Sequence, residues 1–286
     1  MKSFVCLAAS TVCLVLPARA PAAVERTETL QDEARLARID GRATVVVDNV
    51  WGSITVRGTS GETVEWTVLR TTRAETARAA DRAEDEVALL VTVEEGRIEL
   101  YVDGPFRCRD RWGDRRSRRR GADYVVRCDF EIRVPADVDL ELSTVNDGDI
   151  DVHDAGGAFS VDNVNGGIDM QGLLGSGRAT TVNGDVRLRF DRAPDSDCRF
   201  ESLNGEIRLT FAPGLSADFH LTTFNGEVFS EFPVRYLPSV CSAVRERDGK
   251  TVRWKLESIT AVRVGSGGPV IRLDGFNGDM FILRHT

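Results

Sequence analysis

The chain has 286 residues, 42% apolar and 29% charged, with a formal charge of −8. Those fractions exclude wholesale disorder and leave room for one large domain or two small ones. The acidic balance argues against general nucleic-acid binding and against adhesion to anionic lipid by bulk charge, and the three histidines, His153, His220 and His285, leave little material for a histidine-centred active site.

At the N-terminus, Lys2, the apolar run from Phe4 to Leu16 and the small residues Ala20-Pro21-Ala22 lay out a secretory signal peptide over residues 1–22. The run is shorter than the ~20 residues that cross a bilayer as a helix, and no second run follows. The sequence therefore implies an exported protein, periplasmic or extracellular, without a transmembrane segment. Removal of residues 1–22 takes away two basic residues and no acid, moving the formal charge from −8 to −10.

Residues 23–140 read as a mixed, β-rich part. Thr44 to Val47, Ile54 to Val56 and Val64 to Leu69 have strand composition. Residues 74–87 are rich in helix formers and predict a short surface helix, with strands at Ala88 to Val93 and Ile98 to Val102 after it. Such a piece would cover an otherwise open β edge.

Next comes the sharpest local feature. Residues 105–127 hold nine arginines (Arg107, Arg109, Arg111, Arg115, Arg116, Arg118, Arg119, Arg120 and Arg127) against three aspartates, a net +6, so the rest of the exported chain is −16. The bland reading is a solvated insertion, since loop length costs little. The functional reading is a site for an anionic partner, because guanidinium forks match phosphate and carboxylate. The candidate ligand residues are Arg115, Arg116, Arg118, Arg119 and Arg120, with Trp112 and Tyr124 placed to stack on a sugar or a base. The partner classes this implies are an anionic glycan, a lipid head group or an acidic protein at the envelope.

Four cysteines remain after the leader: Cys108, Cys128, Cys198 and Cys241. An even number in an oxidising compartment implies disulfides. Three pairings are open; Cys108–Cys128 and Cys198–Cys241 are favoured because each closes a local loop, the first at the base of the arginine-rich segment. No C-x-x-C or neighbouring histidine points to a metal site, and no cofactor is expected.

Residues 141–286 are dominated by a repeated phrase: an apolar residue, asparagine, then Gly-Asp, Gly-Glu or a close variant, then an apolar residue. Its asparagines are Asn146, Asn165, Asn183, Asn204, Asn225 and Asn277, stepping by about 20 residues and once by 52, with a degenerate copy around Asn49. After each turn the chain alternates, as in Val186, Leu188 and Phe190 against Asp185, Arg187 and Arg189, which is the pattern of a half-buried strand. Two architectures fit. One is a single-stranded β-solenoid with ~20-residue coils, in which the asparagines bond amide to amide and the residue before each (Val145, Val164, Val182, Leu203, Phe224, Phe276) stacks inside. The other is an antiparallel β-sandwich or meander with Asn-Gly at type I′ hairpin turns.

The run Phe130-Glu131-Ile132-Arg133-Val134-Pro135-Ala136-Asp137-Val138, with Leu140 to Ile150 and the Asn-Gly repeats after it, resembles the bacterial β-strand-repeat family labelled putative adhesin. The likeness covers residues 130–232 and 270–284 well and 44–103 loosely. It implies a single-stranded right-handed β-helix and, because some members lie near envelope-stress genes, a structural or sensing role in envelope stress. It transfers no catalytic residue.

The acids Asp149, Asp185, Glu206, Glu227 and Asp279 recur just after the turn asparagines, where stacked carboxylates would repel unless calcium or the arginines of the same strands neutralised them. Asp147, Asp149, Asp151 and Asp154 with His153 form the densest acid group. It fails the EF-hand pattern, having Val152 and Ala158 where glycine and glutamate are needed. The leading expectation is a non-catalytic, adhesin-like binding protein. The alternative is a carbohydrate-active β-helix enzyme working through that acid group.

Overall fold

The computed structural model describes residues 23–39, 41–107, 123–238, 240–248 and 251–285, and for 240–259 the backbone alone. The N-terminal region contains β1 (Val24–Arg35), β2 (Thr44–Asp48), β3 (Ile54–Thr59), β4 (Thr63–Ala74), α1 (Ala77–Glu86), β5 (Ala88–Glu94), β6 (Arg97–Asp103) and β7 (Tyr124–Pro135). The repeats supply β8 (Asp139–Thr144), β9 (Ile150–His153), β10 (Phe159–Asn163), β11 (Ile168–Leu173), β12 (Gly177–Asn183), β13 (Val186–Phe190), β14 (Cys198–Asn204), β15 (Ile207–Phe211), β16 (Ala217–Asn225) and β17 (Val228–Ser230). Then come β18 (Val234–Tyr236), β19 (Val240–Asp248), β20 (Thr251–Val264), β21 (Val270–Asn277) and β22 (Met280–Arg284).

These strands form two large mixed sheets. The first has ten strands in the order β1-β4-β7-β3-β9-β11-β13-β15-β22-β17; the second has twelve, in the order β18-β20-β16-β21-β14-β12-β10-β8-β2-β6-β5, with β19 paired to β20. Period-two alternation decides which side chains meet between them. Ile150 and Val152, Ile168 and Met170, Val186, Leu188 and Phe190 point inward from the first sheet, and Phe159, Val161, Phe200 and Phe219 from the second. Rings meet across the layer: Phe190 lies 6.1 Å from Phe200, and Phe211 lies 6.1 Å from Phe219. At about 25 cal/mol per Å² of apolar surface removed from water, this continuous core is the main stabilising term.

The expected single-stranded solenoid is corrected by this arrangement. Ten- and twelve-stranded mixed sheets pack as a sandwich-like pair. Antiparallel pairing joins β1 to β4, β4 to β7, β5 to β6, β16 and β18 to β20, and β19 to β20. The sheet order also departs from chain order, because β21 lies between β14 and β16 and β22 between β15 and β17. The physical reason is that stacked identical coils need the turn phrase throughout, and most of residues 24–135 and all of 231–264 lack it. The purely antiparallel alternative is corrected too, because the repeat strands pair in parallel, β9 with β11, β11 with β13 and β13 with β15 in one sheet and β10 with β12 and β12 with β14 in the other. Each repeat places one strand in each sheet. Both sheets run unbroken across residue 140, where β8 pairs with β2 and β9 with β3.

The turn glycines explain the repeated phrase. A Cβ on Gly166 would fall 2.1 Å from the carbonyl oxygen of Gly148, one on Gly184 2.2 Å from that of Gly166, and one on Gly205 1.9 Å from that of Gly184. Each turn sits directly on its neighbour, so glycine is there for close approach and not for a hairpin tip. Helix α1 is shorter than expected. Ala74 ends β4, and Thr76 is the N-cap, its hydroxyl accepting from the Ala79 amide at 3.2 Å. Its Ala79, Ala80 and Ala83 are buried, so the helix packs inward on one face. Among the described residues, no helix is long and apolar enough to cross a membrane.

Candidate functional site

The two ends of the arginine-rich segment meet at one corner, around Trp51. The Trp51 ring stands edge-on to Phe106 with centroids 5.1 Å apart, and its carbonyl accepts the Cys128 amide at 2.8 Å. Buried Asn49 fixes that corner. Its side-chain amide donates to the carbonyls of Cys128 (2.8 Å), Trp51 (3.1 Å) and Gly52 (3.2 Å). Trp51 bridges to Asn146 in the sheet, standing where the next asparagine of the repeat column would fall.

Two arginines hold the ends. The Arg107 guanidinium donates to the Val102 carbonyl and to the carboxylate and carbonyl of Asp48, each at 2.9 Å, and lies 4.4 Å over the Tyr101 ring. Arg127 donates to Asp129 at 2.8 Å and to the Asp147 carbonyl at 2.6 Å. Burial pushes the Asp129 carboxyl up, but the bonds from Arg127, the Ser53 amide and the Ser53 hydroxyl outweigh it, and the net direction is down. Asp129 is therefore a charged clasp at neutral pH. Glu25, Trp51, Thr71, Arg73, Val125, Arg127, Asp129 and Asp147 line a depression beside this corner.

Of the other candidate ligands, Arg115, Arg116, Arg118, Arg119, Arg120 and Trp112 lie outside the described residues, as do Cys108 and residues 1–22. Tyr124 is corrected. Its ring is buried and its hydroxyl bonds Glu86 of α1, so it has no face for a sugar or a base. Burial, then the Glu86 bond, holds its hydroxyl protonated well above the ordinary range.

Of the favoured disulfides, the Cys108 partner of Cys128 and the side chain of the Cys241 partner of Cys198 lie outside the described residues. Cys128 and Cys198 are buried free thiols. Cys128 points into the core, where burial pushes its thiol up to about 11, and the described ends of the segment meet at Trp51. Cys198 pairs across to Ile271, Ile271 to Phe219 and Phe219 to Val262. Those three inter-strand steps span about 14 Å, and Cys241 lies opposite Ser258, further along β20. A disulfide needs Cα atoms within about 7 Å.

The repeat asparagines come together in one file. Asn165 donates to Asn146 at 3.0 Å, Asn183 to Asn165 at 2.8 Å, Asn204 to Asn183 at 2.9 Å, Asn277 to Asn204 at 2.8 Å and Asn225 to Asn277 at 2.9 Å. The residues before them do not stack inside. Val145, Val164 and Val182 are partly exposed, and Leu203, Phe224 and Phe276 are exposed. Period two requires this, because Thr144, Thr181 and Ser202 point inward, their hydroxyls donating to the carbonyls of Gly52, Gly166 and Gly184.

The acids are employed in the turns. Asp149 accepts the Gly167 amide at 2.7 Å, Asp185 the Glu206 amide at 2.9 Å and Asp279 the Glu227 amide at 2.9 Å. Arg187 and Arg208 bond Asp185 and Glu206. Asp147 and Asp154 are turn residues with φ of 53° and 60°. Asp151 is raised by burial first and then by Asp149 and Asp169.

One surface escaped sequence reasoning. At the far end of the stack, Phe224 and Phe276 stack at 4.9 Å and 2°, and Phe229 and Phe281 at 5.2 Å and 13°, with Arg208 4.3 Å over Phe281. The signal was present in the growth of the pre-asparagine residue from Val to Leu to Phe, combined with an outward orientation.

No protein-family model matches the chain, and no curated protein matches it. Solved structures with weak likeness include a putative cell adhesion protein from Clostridium sporogenes, 11% identical over 90% of this chain and 100% of that one, with a TM-score of 0.38. Two others come from Parabacteroides distasonis. One is a putative lipid binding protein, 9% identical over 91% of this chain and 97% of that one (TM-score 0.25); the other is a putative adhesin, 10% identical over 89% and 97% (TM-score 0.22). Likenesses of this size carry no weight for the site.

Proposed function

We propose that the chain is an exported, non-catalytic binding protein of adhesin-like kind that engages an anionic envelope partner through its arginine-rich segment. The observation that supports this is the convergence of both ends of the segment on Trp51, where Arg107 and Arg127 are consumed in anchoring. The charge offered to a partner would come from the seven arginines between them, against three aspartates, one of which, Asp123, bonds Arg82 of α1, on a chain that is otherwise strongly acidic. Guanidinium groups pair with phosphate and carboxylate in two-point geometry, so the partner class is a phosphate- or carboxylate-bearing glycan, lipid head group or acidic protein surface. The catalytic alternative is weakened by the structural employment of Asp147, Asp149 and Asp154 in turns.

The test compares the exported protein with a variant carrying Arg115, Arg116, Arg118, Arg119 and Arg120 as serine, using polygalacturonate and phosphatidylglycerol vesicles as probes. The expected result is retention of at least one probe by the parent, weakening with salt, and a loss of about tenfold or more in the variant. Equal retention by both proteins sinks the reading. Turnover of a polysaccharide that disappears in Asp149→Asn and Asp151→Asn would replace it with the catalytic one.

A further inference from the structure

Among the described residues the two sheets end on β1, β17, β18 and β5, with β19 paired to β20 and charged at Arg245, Glu246, Arg247 and Asp248, and all but β5 are defended against pairing with another chain. Strand β1 is long, but six of its twelve residues are charged (Glu25, Arg26, Glu28, Asp32, Glu33, Arg35). Strands β17 and β18 are three residues each, and Pro233 and Pro238 flank β18. Short length, charge and proline are the usual devices that blunt an edge.

Strand β5 has none of them. Its seven residues, Ala-Leu-Leu-Val-Thr-Val-Glu, carry no proline or glycine and no charge before Glu94. Among the described residues it pairs with β6 alone, Leu89 opposite Val102, Val91 opposite Leu100 and Val93 opposite Ile98. Those partners are buried, yet Val91 is 41% exposed and Val93 53%, and Leu90 on the other face is 46% exposed. Ile39, 50% exposed, lies against Gly96 at the same end. The strand thus offers a full edge of backbone groups with apolar side chains on both faces, the signature of a site for strand addition.

We propose that β5 pairs antiparallel with β5 of a second copy of this chain, joining the two twelve-stranded sheets across a two-fold axis at Val91. Edge-to-edge antiparallel pairing by a two-fold requires the axis to stand normal to the sheet, so inner faces join inner faces. With Val91 on the axis, Leu89 lies opposite Val93, Leu90 opposite Thr92 and Ala88 opposite Glu94. Every inward position then meets an apolar one. Glu94 of each copy falls at opposite ends of the pair, beside an alanine, whereas a parallel pairing would set Glu94 on Glu94. The inference stands apart from the arginine-rich segment and does not depend on it.

Sedimentation velocity of the exported protein over a rising concentration series is the first measurement. The parent is expected to shift from monomer to dimer, and Val91→Lys to associate at least about tenfold more weakly while melting at the parent's temperature, since Val91 is half exposed. Register is read by mild oxidation. Two copies of Val91→Cys on the axis stand about 5 Å apart and form a covalent dimer, whereas Thr92→Cys is set off by two residues and cross-links far less. A parent that stays monomeric, a dimer unaffected by Val91→Lys, or equal cross-linking at 91 and 92 overturns the proposal. A monomeric parent that instead takes up an extended apolar strand of another protein on β5 also overturns it, in favour of a donated strand.

Discussion

The repeat region and the N-terminal region share both sheets but are held by opposite strategies. In the repeats every contact recurs at the same position: a glycine on the carbonyl below it, an asparagine bonded to the next, a carboxylate capping the following turn. The N-terminal region shares the turn bond of Asn49 with Asn163 of the repeats, but most of its contacts are made once. Asn49 alone gathers three carbonyls, Arg107 alone ties the segment to Asp48, and Trp51 alone closes the corner. Redundancy spreads the cost of a lost bond over neighbours that still hold, whereas a unique contact concentrates it. The two regions should therefore answer comparable substitutions by different amounts.

The largest effect is expected where both strategies depend on the shared core. Leu209 is fully buried, and Leu209→Asp would leave an unpaired charge between the sheets at a cost above about 4 kcal/mol. The expected outcome is no folded protein by circular dichroism. A variant that melts like the parent would show that the inward and outward faces are exchanged.

Glycines sharpen the comparison at the next level. Gly184→Ala drives a Cβ to 2.2 Å from a backbone carbonyl that is itself fixed in the column, so a loss of about 3 kcal/mol is expected. Gly61→Ala meets nothing closer than the Thr59 hydroxyl at 3.6 Å and should be neutral or slightly stabilising by its effect on the unfolded chain. Denaturant midpoints of the two variants check this; equal shifts would mean that the column is not close-packed.

Asparagines then set a redundant bond against a unique one. Asn204→Ala removes two exposed amide bonds from a file whose other members remain, an expected loss of about 1 kcal/mol. Asn49→Ala removes three buried bonds at once, although the Trp51 carbonyl keeps the Cys128 amide and the Gly52 carbonyl the Thr144 hydroxyl, and should cost about 2 kcal/mol. If Asn204→Ala proves the costlier, the file is cooperative and the contrast between the regions fails.

Much of this division was legible in the residues. Period-two alternation in Val186 to Phe190 and Ile207 to Phe211 placed strands and their buried faces. The common spacing of Asn146 to Asn225 pointed to a file of amides, because only stacking gives a reason for turns to match. What failed did so for tertiary reasons. Asn-Gly reads equally as a hairpin tip or a stacked turn, and only neighbours in space separate the two. The position of Val145 relative to Thr144 is settled by which of them faces the core, and a hydroxyl that finds a turn carbonyl wins the inner place. Tyr124 looked like a loop aromatic because nothing local shows that β7 begins there. The long β1–β4–β7 pairing joins segments far apart in sequence and carries no turn signal. The bareness of the β5 edge appears only once the sheet order makes it an end.

The smallest predicted effects concern two carboxylates whose signs differ. Asp218 is lowered, first by its hydrogen bonds from Arg263 at 2.7 and 2.6 Å. A folded value below the unfolded one gives stability that is present above about pH 4 and is lost as pH falls through the folded value. Asp151 is raised, first by burial and then by Asp149 and Asp169, so the fold prefers its protonated form and loses that preference as pH climbs past about 4. Asp218→Asn should therefore lower the melting temperature at pH 7 and converge with the parent only in acid, below the depressed folded value. Asp151→Asn should raise it at pH 7, by under about 2 °C for a partly exposed group, and also converge in acid. Asp151 owes its shift first to burial and then to Asp149 and to Asp169, which in-register stacking sets beside it, while Asp218 owes its own first to one partner on β20. If Asp151→Asn leaves the melting temperature unchanged at pH 7, the repulsion between stacked carboxylates is already relieved by solvent, and regular stacking carries no electrostatic cost on that face.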